Sequence, residues 1–296
     1  MEETIRNILN KYKDFPNQIY HYTDGNAFLS ILKHKELWAS HILFQNDKKE
    51  ALYSLELLHE VLKEKEKIFH EYNCNIEEIF DFVKTFTGQN TFTISFSKKR
   101  DDLNQWRGYA NSQLSYCIGF APLELKDINI PLKEESIENK KDSSIKPNQN
   151  ITLIFQCLYE TRVQKQLIEA IIDKQFYNKP DKDKLNSIGI AGNIMTDFLP
   201  VSTLFKHPCF KDEEEIRLVI DYVNNDLIDI RIGKERFIPY IKVPIKTENI
   251  KDIIIGPCDN EEFIYTQTTY VCQRYDIGFS KGERRNLLKS ELPFRK

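Results

Sequence analysis

The chain has 296 residues, enough for one large domain or two small ones, and a chain of this length hides about three quarters of its unfolded surface. Its 42 Lys and Arg against 45 Asp and Glu leave a net charge of −3. That balance supplies neither a global basic field for nucleic acid nor the acidic excess of a disordered chain.

In chain order, residues 3–13 predict a short helix with Ile5, Ile8 and Leu9 on one face. An extended Gln18 to Thr23 follows, with Asp24 placed to cap a helix over about 25–35. Glu36 to Ser40 predicts a strand. Asp47 to about Tyr72 predicts one long amphipathic helix striped by Ala51, Leu55, Leu58 and Leu62. A helix over about 76–87 comes next, then a strand from Thr91 to Ser97 that alternates cleanly. Asp101 to Tyr109 predicts a helical turn, and Leu114 to Phe120 another strand. Residues 131–150 hold almost no large apolar side chain and predict an exposed polar insertion. Beyond it come strand 151–159, helices near 161–177 and 183–199, and strands near 215–221, 228–232, 237–243 and 251–255. Residues 260–271 predict a last helix or helical turn.

There is no regular strand–helix alternation, no GxGxxG and no GxxxxGK[ST], so a dinucleotide-binding parallel sheet and a P-loop are both poor fits. The expected fold is a single α+β domain spanning 1–296. Its core is a central, mostly antiparallel sheet, whole or split, with helices packed on and around it. The six cysteines form no CxxC pair and no close Cys/His set, so no metal is expected. The opening residues lack the apolar core of a secretory signal, and no apolar run nears the roughly 20 residues of a membrane span. A cytoplasmic protein with reduced cysteines and no membrane partner is the expectation.

Three segments carry candidate chemistry. In Tyr20-His21-Tyr22-Thr23 a neutral imidazole and a hydroxyl sit at a strand end, which suits holding a ribose or amide; the structural alternative is a histidine at a capping position. In Ser95-Phe96-Ser97, two serines two apart on a strand share a face. Trp106 and Tyr109, three apart beside Arg107, could form an aromatic wall or simply pack their turn onto the sheet. In the third segment, Glu213, Glu215 and Arg217 are expected on one face of a strand whose other face is Ile216 and Leu218. A solvated acidic edge and a carboxylate held by Arg217 are its two readings.

Taken together these segments, with Leu37-Trp38-Ala39-Ser40, Asn46-Asp47 and Glu50, Gln105 to Ala110, and Ile255-Gly256-Pro257, resemble a bacterial domain-of-unknown-function family, number 2971. The order of motifs is also similar, more weakly, to the ADP-ribosyltransferase superfamily, in the branch with a His, Tyr and Glu signature. That resemblance implies that His21 and Thr23 hold the nicotinamide ribose of NAD, with Tyr22 beside them. It implies that the Ser95-Phe96-Ser97 strand replaces the second motif and that Glu215, or Glu213, supplies the catalytic carboxylate. The tyrosine usual on the second-motif strand is absent, leaving Ser95 or Phe96 in its place, or Tyr109 from the following turn as a substitute; Trp106, Arg107 and Arg217 complete the cofactor-binding set.

The chemistry it implies is cleavage of the nicotinamide–ribose bond through an oxocarbenium-like state that a carboxylate stabilises. The leading expectation is an NAD-dependent ADP-ribosyltransferase or NAD glycohydrolase, a toxin or anti-phage effector with NAD as substrate. A protein or nucleic acid would be its acceptor, and a neutralising or regulatory partner would accompany it. The alternative is a non-catalytic binding or regulatory module on the same fold. A third, a nucleic-acid-processing enzyme, rests on residues 280–296, with six Lys and Arg against two Glu.

Overall fold

The structure is a computed structural model that describes residues 2–44, 48–86, 91–109, 114–122, 151–177, 180–182, 185–221, 225–233, 236–278 and 286–293. The expected insertion at 131–150 lies outside the described residues, as do Asn46, Asp47 and Ala110. Its elements are α1 (Glu2–Asn10), β1 (Ile19–Asp24), α2 (Gly25–His34), β2 (Glu36–His41), α3 (Lys48–Glu64), α4 (Glu66–Glu71), α5 (Ile76–Phe86), β3 (Phe92–Ser97), α6 (Leu103–Tyr109), β4 (Ser115–Phe120) and β5 (Ile151–Gln156). There follow α7 (Thr161–Phe176), α8 (Ser187–Ser202), β6 (Glu215–Asp221), β7 (Asp229–Ile232), β8 (Phe237–Pro244), β9 (Ile250–Ile255), α9 (Glu261–Arg274) and β10 (Asn286–Lys289).

The expected α+β architecture is present: one open, mixed, mostly antiparallel sheet with helices on both sides. Most boundaries match the sequence pattern, because caps and periodicity act locally. Asp24 caps α2 by accepting from the Ala27 amide at 2.8 Å. The long helix over 47–72 is two helices, broken at Lys65, whose ammonium bonds Asp173 at 2.6 Å. β10 is a strand the sequence pattern did not reveal. It pairs with β9 in parallel, whereas the other strand pairs among the described residues are antiparallel.

Strand order is β10-β9-β4-β1-β3-β2-β8-β7, and β6 lies between β3 and β5. One edge of β3 pairs with β6 along its length, from Phe92↔Ile220 to Ser97↔Glu215. Its other edge is shared. β2 takes the start, at Ser40↔Thr93 and His41↔Phe92, while β1 meets only the end, at Tyr20↔Ser97. Among the described residues no strand pairs with Ile94, Ser95 or Phe96 on that edge. The sheet is therefore continuous but opens there, between β1 and β2.

Alternation divides the side chains between two faces. Ile19, Phe96, Ile118, Phe120, Ile216 and Leu218 face one way and pack with α2 and α9, where Phe28 stacks on Tyr116 at 3.8 Å. Phe155 and Val219 face the other way, into a core built with α3, α4, α5, α7 and α8. A small third cluster joins Tyr22, Trp106, Cys117 and Ile254. All six cysteines are described and no disulfide joins them. Among the described residues no helix is long and apolar enough to cross a membrane.

Gly256 explains why Trp106 can reach that third cluster. A Cβ on Gly256 would stand 2.9 Å from the Trp106 ring and closer still to the Ser115 hydroxyl. The indole is buried, and displacing it opens space that nothing else fills. Gly256→Ala is expected to change the near-ultraviolet dichroism of Trp106 and lower the melting temperature. An unchanged aromatic spectrum would show that the ring is not seated against this glycine.

Candidate functional site

Glu215 opens β6 and is 4% exposed. It accepts from Arg217 Nε at 2.7 Å and from Arg217 Nη2 at 3.0 Å, a fork-to-fork pair. Lys206 Nζ donates to the same carboxylate at 2.5 Å and to Glu213 at 2.6 Å. The Arg217 fork is completed by the Thr203 carbonyl at 2.7 Å. Lys206 and Arg217 are themselves 3% and 2% exposed, so this is a buried ion cluster.

The backbone around it is pinned from several elements. The Glu215 amide donates to the Tyr159 hydroxyl at 2.9 Å, and Ser97 Oγ donates to the Glu213 carbonyl at 2.8 Å. Phe205, next to Lys206, forms a bridge with Leu158 that holds the lysine under the sheet. Glu213 is not on the strand, as its spacing suggested; it ends a 3-10 turn over Pro208–Glu213. Glu214, at φ 44°, turns the chain there, and both flanking carboxylates reach Lys206.

Burial would raise the Glu215 pKa, but Arg217 and Lys206 outweigh it and hold the carboxyl well below the usual carboxylate range. Desolvation first, and then the charges of Glu215 and Glu213, push the Tyr109 phenol up to about 12. Tyr109 still leaves 41% of its surface exposed. It shares the electrostatic field of the cluster from the outside.

His21 is arranged quite differently. Its Nδ1–H donates to the Ser95 carbonyl at 3.0 Å, inside the opening between β1 and β2. A carbonyl only accepts, so the proton sits on Nδ1 and the neutral ring keeps the Nε2 lone pair. Burial lowers its pKa, and the bond to Ser95 opposes that only in part. The ring lies 5.7 Å from Phe96.

Register shows which of the expected site residues meet. Tyr20, Ser97 and Glu215 are cross-strand partners in one row, and Ser95 opposes Arg217 in the next. Ser95, Ser97, Glu215 and Arg217 therefore share a face, with Tyr109 near them. His21 and Thr23 alternate onto the other face, opposite Ile118 and Tyr116. The structure thus does not bring His21 and Glu215 together across one cleft, because a one-residue step on a strand reverses the side chain.

The aromatic wall is not formed either. Trp106 is buried, meets Tyr22 edge-on at 4.8 Å and donates to Asp101 at 2.7 Å. Tyr22 also ties β1 to the start of α6, donating to the Lys99 carbonyl at 2.8 Å and accepting from the Asp102 amide at 3.1 Å. Arg107 is exposed on α6, and Phe96 is a core residue of the His21 face.

Sequence reasoning missed Lys206, Tyr159 and Thr203. The one available signal was a lysine directly after the apolar pair Leu204-Phe205. An open concavity of about 310 Å3 between α1, α7 and α8 is lined by Ile5, Arg6, Leu9, Lys13, Lys174 and Asp197 among others, and by none of these site residues. In the basic tail, Lys289 is bound to Glu262; Lys281, Arg284, Arg285, Arg295 and Lys296 lie outside the described residues.

Between residues 105 and 218 the chain is similar to a family described as a protein of unknown function, DUF2971. The match runs from buried Gln105 in α6 to the middle of β6, and so encloses Tyr109 and the whole ion cluster. Comparison with curated proteins and with solved structures gives no match.

Two outcomes follow from these charges. Glu215→Gln leaves two buried cations short of an anion, and removing one partner of a buried pair costs about 3–5 kcal/mol. The wild-type cluster contributes stability above the unfolded carboxylate pKa of about 4.3 and loses it as pH falls toward the depressed folded value. Chemical denaturation from pH 7 to 3 should show a steep acid loss in wild type that is blunted in Glu215→Gln. A variant as stable as wild type at pH 7 would dissolve the cluster's structural role.

His21 has the same sign for a different reason. Its folded pKa lies below the unfolded value near 6.5, so its contribution is whole above that pH and is lost as pH falls through the folded pKa. His21→Gln should remove the part of the stability loss that begins just below pH 6.5. An identical pH profile would mean that the ring titrates freely.

Proposed function

We propose that this chain is a ligand-binding or regulatory module rather than a catalyst, and that its ligand is NAD or a molecule bearing the same ribose and carboxamide groups, held at His21. What carries the reading is Glu215. The carboxylate that a transferase would aim at the ribose is closed off by Lys206 and Arg217, on the face away from His21. A carboxylate whose charge is already neutralised has little field left for an oxocarbenium-like centre. His21, by contrast, keeps an acceptor nitrogen in an opening of the sheet, which suits a hydroxyl or an amide.

A second reading, an ADP-ribosyltransferase or NAD glycohydrolase with a toxin or defence role, is favoured by one observation. The three motif strands β1, β3 and β6 are neighbours, and the sheet opens beside the histidine. In that case Glu213, whose side chain is 27% exposed, is the better carboxylate.

Calorimetric titration of the purified chain with NAD, run beside chromatographic detection of nicotinamide, separates the two. Saturable binding without nicotinamide release, lost in His21→Ala, is expected. Nicotinamide release that disappears in Glu213→Gln would replace the binding reading with the transferase. Absence of NAD binding altogether would remove this ligand from both.

A further inference from the structure

β7 lies at one end of the sheet, and among the described residues β8 is its only strand partner. The hairpin bond from the Gly233 amide to the Arg236 carbonyl, at 2.8 Å, fixes which groups β7 gives to β8. Bonded and unbonded pairs alternate along an antiparallel ladder, so Asp229 and Arg231 turn their amides and carbonyls toward β8. Ile230 and Ile232 turn theirs to the free edge. Pro239, which has no amide to give, sits opposite Ile230, where that ladder asks for none.

Side chains on this edge divide by face. Ile230 and Ile232 share one face with Phe237, and all three are exposed, Ile232 at 83%. Asp229 and Arg231 share the other. Among the described residues no carboxylate pairs with Arg231: its Nη2 donates to Ser40 Oγ at 3.0 Å, and its Nε is buried without an acceptor. Asp229 Oδ1 accepts from the Ile230 amide at 2.8 Å, so a single chain covers one of its outward donors itself. An edge strand carrying exposed isoleucines and a cation short of an anion are both features that proteins usually cover.

A second copy of β7 fits this edge in one register. Antiparallel pairing about a two-fold axis through Ile230 sets Ile230 against Ile230 and Ile232 against Ile228. It also sets Asp229 of each copy against Arg231 of the other. The two Ile230 residues then exchange N–H···O bonds, since both present amide and carbonyl outward. Asp229 and Arg231 fall at the pairs between, where side chains come closest. A slide of two residues either way sets Asp229 against Asp229 or Arg231 against Arg231. A slide of one opposes side chains from different faces.

We propose that this edge is where two copies of the chain meet, β7 pairing with β7 of a second copy in that register so that the two sheets become one. Charge selects the partner, because an edge carrying Asp and Arg two residues apart is complementary to its own reverse. Each Asp229 gives up the Ile230 amide, and each Arg231 gives up Ser40, for a carboxylate–guanidinium pair across the axis. On the other face the exposed isoleucines of the two copies form one row, flanked by Phe237 of each. A strand of 4 residues buries little area, so the dimer is weak and concentration-dependent. Nothing in this contact depends on a ligand at His21.

Sedimentation velocity of the full chain is the test, with the variants Arg231→Asp, Asp229→Arg and Ile232→Lys. Wild type is expected to move from the mass of one chain to twice that mass as its concentration rises toward about 100 μM. Arg231→Asp opposes Asp to Asp at both pairs, and Asp229→Arg opposes Arg to Arg, so each alone should raise the dissociation constant about 100-fold. Mixed in equal amounts, the two regain both opposite-charge pairs and should dimerise again. Ile232→Lys, a change at a side chain that the fold leaves in water, should melt like wild type and stay monomeric.

Wild type that remains monomeric at that concentration would overturn the proposal. So would charge variants, or Ile232→Lys, that associate as tightly as wild type, since the contact would then lie elsewhere. A mixture as monomeric as its two components would reject the register, and with it the pairing of β7 with β7. If a charge variant does not fold, Ile232→Lys decides alone.

Discussion

The carboxylate of Glu215, buried between the Arg217 guanidinium and the Lys206 ammonium, sets much of what this molecule can do. Three charges out of water are tolerated only if their attraction and hydrogen bonds repay desolvation, and small displacements upset that balance. Every flanking element is fixed accordingly. The bridge of Phe205 to Leu158 brings Lys206 under the sheet, Tyr159 and Ser97 hold the chain at Glu213 to Glu215, and Thr203 takes the last arm of the guanidinium. A helix end, a turn and two strands are thereby tied at one point. The same closure that makes the cluster a good tie makes Glu215 a poor electrostatic tool for a bound substrate.

The second constraint is the pleat. β1, β3 and β6 lie side by side, so motifs far apart in sequence become neighbours. Whether their side chains converge depends on parity along each strand. Tyr20, Ser97 and Glu215 are in phase, and His21 is one residue out of phase. What His21 gains instead is the opening where β1 leaves β3. There its ring substitutes for a missing strand partner by bonding the Ser95 carbonyl. The polar features of these strands thus divide into a closed cluster at β6 and, on the other face, the histidine at the free edge of β3.

Local order was legible in the sequence where local forces decide it. Asp24 announced α2, alternation announced β3, and the absence of βαβ spacing announced a sheet that is not a parallel one. The pairing of Glu215 with Arg217 was legible too, because i and i+2 on a strand must share a face. Lys206 was not, since its approach to Glu215 depends on how α8 leads back beneath the sheet. Nor was the parity of His21 against Glu215, because register between β1 and β3 is set by a single contact, Tyr20 with Ser97. The break at Lys65 and the parallel strand β10 were hidden for the same reason: each answers to a distant partner, Asp173 in one case and β9 in the other.

The division between a structural cluster and a separate ligand opening is open to one direct measurement. Replacing Lys206, Glu215 and Arg217 together by apolar residues of similar size, as Met, Leu and Met, removes the three buried charges at once and leaves the Glu213 carboxylate, 27% exposed, to water; exchange of a whole buried ion group is often neutral for stability. The quantity to measure is the affinity of this triple variant for NAD relative to wild type, with its melting temperature alongside. If the cluster is a structural tie alone, the variant folds and binds NAD within a few-fold of wild type. A variant that melts like wild type but has lost NAD would contradict that division and return Glu215 to the ligand site.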